Sequence, residues 1–139
     1  MSGIILVRDI MARNVKTVRT DDSVLLAVQK MVKFNIGSVI VTNNGRAVGI
    51  ITERNILERI VEPRHDAGII NAKDIMSAPL ITIDVNAAVE EAAKIMTSKV
   101  IKTLPVIDGG KLVGVITSSD IVRTSPTQLN ILEELLRIK

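Results

Sequence analysis

Cysteine is absent from this 139-residue chain, so neither a disulfide nor a thiolate metal site is available to it. Tryptophan and tyrosine are also absent, and Phe34 is the only aromatic residue. The core must therefore be built from Ile, Val, Leu, Met and Ala. A base-stacking platform for single-stranded nucleic acid, which needs several aromatic faces, is not available. The one histidine, His65, lies beside Asp66 in a polar stretch. Metal sites need several converging donors, so a solvated loop residue is expected there and no metal. No P-loop and no nucleophile–base pair stands in sequence context, so an enzyme is not expected. No apolar run approaches the roughly 20 residues of a membrane span. The opening residues lack the basic region and long apolar core of a secretory leader, so a cytoplasmic location is expected.

What is present is apolar and mildly basic. Hydrophobic residues make up 47% of the chain and charged residues 24%, which suits a packed domain. The formal charge is +3, without a run of basic residues, so nucleic-acid binding is disfavoured.

The chain repeats itself. A shift of 65 positions aligns residues 7–57 with 72–122 without a gap, and about fifteen of those 51 pairs are identical. Asp9-Ile10-Met11 meets Asp74-Ile75-Met76, and Gly49-Ile50-Ile51-Thr52 meets Gly114-Val115-Ile116-Thr117. Each copy predicts a short strand (15–18 or 80–83) and N-caps at Asp21 and Asn86. An amphipathic helix follows, with Val24, Ala27, Val28, Met31 and Val32 on its buried face, or Val89, Ala92, Ala93 and Met96. A hairpin of strands comes next (38–41 with 47–51, or 104–107 with 112–116), turning at Asn43-Asn44-Gly45 or Asp108-Gly109-Gly110. A second helix starts at Thr52 or Thr117. Met11, Met31, Met76 and Met96 are expected to fill the core.

The expected fold is therefore mixed α/β (α+β). It has two pseudo-symmetric β-α-β-β-α units at 7–61 and 72–124, packed through their sheets, with a hydrophilic linker at 62–71. Ser125-Pro126-Thr127-Gln128 is a helix-start signature, which predicts a C-terminal helix over 125–139. Leu25 and Leu26 stand where the second copy has Glu90 and Glu91, so an extra contact is expected on the first helix, from the N-terminal strand, the last helix or a second subunit.

The Asp-Ile-Met openings, the Ile-Gly-Ser-Val and Leu-Pro-Val-Ile strands, and the closings Gly49 to Asn55 and Gly114 to Asp120 resemble a pair of CBS domains, a Bateman module. The resemblance spans roughly residues 7–123. It implies two clefts between the units for adenosine-containing ligands (AMP, ADP, ATP or S-adenosylmethionine), and no required cofactor. In the second site it implies Asp120 on the ribose hydroxyls and Thr117 and Ser118 on phosphate. Thr82, Ile83, Ile101, Lys102, Thr103 and Pro105 would wall the base. In the first site it implies Thr52, Arg54 and Asn55, walled by Thr17, Val18, Ile36, Gly37 and Ser38. It further implies a homodimer that regulates an effector protein. Light scattering reads the dimer, and a monomer at micromolar and higher concentrations would contradict it.

Two alternatives stay open. Thr117 with Asp120, and Thr52 with Asn55, have the spacing of a helix-capping box. The whole chain could also be a ligand-free interaction dimer. Asn55 is the one departure in the closing motif, because an amide cannot accept from two hydroxyls as a carboxylate does. The two sites are expected to be unequal, with the Asp120 site the stronger.

Overall fold

The computed structural model describes residues 4–124, and the helix expected over 125–139 lies outside them. In chain order the elements are α1 (Val7–Ile10), β1 (Thr17–Arg19), α2 (Val24–Phe34), β2 (Ser38–Asn43), β3 (Arg46–Thr52) and α3 (Glu53–Ile56), which a π-helical turn (Leu57–Val61) continues. Then come α4 (Ala72–Ile75), β4 (Ile83–Asp84), α5 (Val89–Lys99), β5 (Thr103–Asp108), β6 (Lys111–Thr117) and α6 (Ser118–Thr124). The β-α-β-β-α order is present twice. The Asp-Ile-Met segments are one-turn helices, α1 and α4.

Each copy forms a three-stranded sheet, β1-β2-β3 or β4-β5-β6. The first pair is parallel and the second antiparallel, with a bulge after Val41 and after Val106. Parallel pairing needs a crossover, and α2 and α5 supply it. The hairpins close as expected. Asn44 and Gly45 take φ of 53° and 80°, and Gly109 and Gly110 take 57° and 85°. Strand β4 is shorter than β1 for a chemical reason. The Ile40 N–H donates to the Lys16 carbonyl at 3.2 Å. Pro105 stands at the equivalent position and has no N–H to give.

Two compact bodies divide the chain, and they do not coincide with the repeats. The contiguous body holds residues 14–81. The composite body holds 4–13 together with 82–124. The opening segment of each copy thus packs with the strands of the other copy. The stretch expected to be a hydrophilic linker, 62–71, lies inside the contiguous body. The Ala67 and Ile70 carbonyls accept from the Leu25 and Val24 N–H groups, each within 2.9 Å. Those bonds satisfy donors at the free start of α2.

Val24, Ala27 and Met31 bury the inner face of α2 against Val39, Val41 and Ile51. In the composite body Val89, Ala92 and Met96 of α5 meet Leu104, Val106 and Ile116, and α1 adds Val7 and Met11. Each fully buried Ile or Leu is worth about 1.5–3 kcal/mol of transfer free energy. Met11, Met31 and Met96 are buried, as expected of filler, and Met76 packs partly buried against its core.

Three local expectations fail. The N-caps are Ser23, whose side chain accepts from Leu26 N–H, and Ala88, which offers no side-chain cap. Asp22 instead accepts from the Arg19 N–H behind it and Asp84 from the Asn86 N–H ahead of it, so Asp21 and Asn86 belong to the preceding turns. Val32 is 76% exposed, because it falls past the edge of the buried stripe. The helix ends in the same conformation in the two copies but on different residues. Asn35 and Val100 both take left-handed φ, 53° and 56°. Asparagine tolerates that region, whereas a β-branched residue is strained there. Val100→Asn is expected to stabilise the protein by about 1 kcal/mol. A thermal melt raised by a few degrees checks this, and a lowered one would contradict it.

Candidate functional site

The Gly114-to-Asp120 junction runs off the end of β6 into α6. The Thr117 N–H donates to Asp120 Oδ2 at 2.9 Å, and the Asp120 N–H donates to Thr117 Oγ1 at 3.2 Å. This reciprocal pair is a capping box, so the structural role of Thr117 and Asp120 is real. It uses one carboxylate oxygen. The other, Oδ1, pairs with Arg123, whose side chain is 68% exposed against 13% for Asp120. An ion pair held from so exposed a side is worth little and is easily exchanged. The carboxylate is therefore fixed in place by its cap and still able to accept from a ligand.

Other candidates gather around it. Thr103 pairs with Thr117 across the β5–β6 ladder, and the Ser118 N–H donates to the Lys102 carbonyl at 2.9 Å. Ile101 is half-buried against the core, Lys102 is exposed, and Pro105 is buried. Ile83 is buried on β4 opposite Val106, next to the exposed Thr82. Because Pro105 has no N–H, the Ile81 carbonyl lacks the backbone donor that Lys16 has in the other copy.

The contiguous body repeats the junction with different chemistry. Thr52 and Asn55 form the same capping box, at 3.1 Å in both directions. Asn55 is only 6% exposed, and its Nδ2 donates to Ser77 Oγ at 3.1 Å. The amide bonds to Thr52 and Ser77, which is the capping-box arrangement left open for this pair. Arg54 is 81% exposed and pairs with Glu58 at 3.2 Å. Thr17, Val18 and Ser38 lie on adjoining strands β1 and β2. Val18 is buried, Ile36 packs against the core, and Gly37 is exposed. Lys30 Nζ donates to the Thr17 carbonyl at 2.6 Å, and Lys16 Nζ sits 4.0 Å from the centre of the Phe34 ring.

Sequence reasoning missed Ser77, Glu53 and Arg123. The 65-residue shift sets Ser77 against Ala12, Glu53 against Ser118 and Arg123 against Glu58. A search for what the two copies share passes over all three. The usable signal was a linked change: amide with hydroxyl in one body, acid with alanine in the other.

The glycines that open the two motifs mark close approach. A Cβ on Gly114 would lie 2.6 Å from Met11 Sδ and 2.9 Å from the Ala12 carbonyl oxygen. One on Gly49 would meet Met76 Sδ at 2.5 Å and the Ser77 carbonyl oxygen at 3.0 Å. The opening segments bridge to the third strands just there, Ala12 with Val115 and Ser77 with Ile50.

A depression of about 330 Å³ on α5 is lined by Glu90, Ala93, Lys94, Thr97 and Ser98, none of them a candidate. Among the described residues no cluster of His, Asp and Glu could hold a metal ion, and no helix is long and apolar enough to cross a membrane.

Known proteins place this arrangement. The chain is 35% identical over 130 residues to an uncharacterized protein of Methanopyrus kandleri, covering 92% of this chain and 66% of that one. It spans from 31% to 66% of the length of this and two further curated relatives. An uncharacterized conserved protein from Pyrococcus horikoshii has a similar structure, with a TM-score of 0.82 at 31% identity, covering 91% of this chain and 96% of that one. The CBS domain pair of protein MJ0100, solved with 5′-methylthioadenosine and S-adenosyl-L-methionine, gives 0.79 at 29% identity, covering 88% and 96%. The family model for the CBS domain matches twice, at residues 7–62 and 72–126. The chain belongs to the CBS domain family and carries two copies in tandem.

Proposed function

We propose that the chain is a regulatory module that binds an adenosine-containing ligand and passes a change of shape to a partner protein. The observation that carries this reading is the Asp120 carboxylate. Its cap holds it rigidly, while an exposed guanidinium covers its second oxygen. A carboxylate placed this way accepts from two vicinal hydroxyls, as a ribose presents them, through charge-assisted hydrogen bonds. The Ser118 hydroxyl and the Lys102 ammonium are donors and suit the anionic part of a nucleotide. Ile101 and Pro105 provide aliphatic walls for a base. A CBS pair of similar structure holding two adenosine compounds supports the ligand class.

Regulation requires the ligand to favour one arrangement of the protein over another. Self-association fits the same reading, since Leu57 and Val61 expose 60% and 58% of their surface one helical turn apart. Calorimetric titration with AMP, ADP, ATP and S-adenosylmethionine tests the ligand class. Saturable binding below about 1 mM by at least one of them is expected, a modest threshold of roughly 4 kcal/mol. The absence of binding by all four would refute the reading.

A further inference from the structure

The two candidate sites carry different charge at the same two positions. The Glu53 N–H donates to the Gly37 carbonyl at 3.1 Å, as the Ser118 N–H donates to the Lys102 carbonyl at 2.9 Å. The 65-residue shift aligns the same residues, Gly37 with Lys102 and Glu53 with Ser118. The backbone is thus equivalent and the side chains are not.

In the contiguous body, Glu53 Oε1 lies 2.9 Å from where a Cβ on Gly37 would stand. The carboxylate occupies the space that a side chain at position 37 would take. In the composite body the same places hold an ammonium-bearing chain and a hydroxyl. Among the described residues neither Glu53 nor Lys102 has an ion-pair partner, and both are exposed. The cations close in sequence to the first site are engaged elsewhere. Lys16 and Lys33 lie over the Phe34 ring, Lys30 bonds to the Thr17 carbonyl, and Arg54 pairs with Glu58.

We propose that positions 37/53 and 102/118 set the charge of the group that each site accepts beside the ribose. The composite site takes an adenosine ligand bearing phosphate. The contiguous site takes an adenosine whose 5′ substituent is neutral or cationic, a thioether or a sulfonium. This rests on the adenosine reading above and sharpens it, giving two sites with different ligands in place of a strong and a weak copy.

The test uses AMP and 5′-methylthioadenosine, which share adenosine and differ in charge at the 5′ position. Amide signals of Ser38 and Thr103, equivalent positions in the two bodies, report the sites by nuclear magnetic resonance. In the unmodified protein, AMP is expected to move Thr103 at about tenfold lower concentration than Ser38, as one facing charge warrants, and the uncharged thioether to lose that preference. The double variants Gly37→Lys/Glu53→Ser and Lys102→Gly/Ser118→Glu, combined in one chain, are expected to invert the AMP order and to leave the thioether without one. Glu53→Gln alone, which keeps size and removes charge, is expected to raise AMP affinity at Ser38. If both ligands fill the sites in the same order and these variants leave it unchanged, the charge assignment is wrong while the adenosine reading stands. If neither ligand moves either signal, both fall.

Discussion

Deletion of residues 1–12 is expected to unfold the composite body and to spare the contiguous one. The segment supplies two core side chains, Val7 at 0% and Met11 at 8% exposure. Removing a buried aliphatic side chain of this size costs about 2–5 kcal/mol when the cavity cannot close. Backbone bonds are lost as well. The Val7 N–H donates to the Ala87 carbonyl at 2.8 Å, the Val89 N–H to the Ile5 carbonyl at 2.9 Å, and Ala12 and Val115 exchange both of theirs at 2.9 Å. Each is worth roughly 0.5–1.5 kcal/mol net. Together these losses rival the 5–15 kcal/mol that holds a typical domain folded. Amide spectra should lose dispersion for residues 82–124 and keep it for 14–81. A synthetic peptide of residues 1–13 should restore part of the lost signal. A deletion variant that melts within about 2 °C of the full chain would show that the segment is not part of that core, since a loss of even 1 kcal/mol moves a domain of this size by more.

The second large effect is at Gly114. Its φ is not in the left-handed region. Replacing such a glycine by alanine ordinarily stabilises by about 0.4–1 kcal/mol, because the unfolded chain loses freedom. Here the sign should reverse. The new methyl group would stand 2.9 Å from the Ala12 carbonyl oxygen, and that carbonyl is pinned by the Val115 N–H at 2.9 Å. Met11 can swing its sulfur away, but the backbone cannot follow without breaking the bridge. Gly114→Ala is expected to destabilise by about 1–3 kcal/mol, the usual cost of overpacking. Adding Met11→Ala should not recover it, because the carbonyl remains. Urea unfolding reads both variants, and a Gly114→Ala protein as stable as the parent would contradict the close approach.

Both effects come from the feature least legible in the sequence. The 65-residue shift revealed two copies, their β-α-β-β-α order, the hairpin turns and the Thr-x-x-Asp/Asn junctions. Each of those is a local pattern. The exchange of opening segments is not. Residues 7–13 and 72–78 share Asp-Ile-Met, so either copy's opening would satisfy the same periodicity in either body. Only the three-dimensional contacts decide. The caps failed for a related reason: Asp21 and Asn86 are good capping residues in isolation, and the turns formed by Asp22 and Asp84 put the helix starts two residues later. The expectation of unequal sites came from Asn55 alone. Ser77 explains where that amide goes, and the proposed roles of Glu53 and Lys102, opposite in charge, would give the inequality a chemical direction.

The capping box also offers a way to separate structure from ligand binding at Asp120. Asn55 shows that an amide at this position keeps both cap hydrogen bonds. Asp120→Asn should therefore leave the cap and the melting temperature nearly unchanged while removing the charge that would accept ribose hydroxyls. Calorimetric titration of AMP and ATP into the parent and into Asp120→Asn is the most direct measurement. Saturable binding below about 1 mM in the parent, weakened tenfold or more in the variant, is the expected result, a loss of about 1.4 kcal/mol or more. Equal affinity in the two proteins, or no binding to the parent, would contradict the assignment of Asp120 as the ribose acceptor.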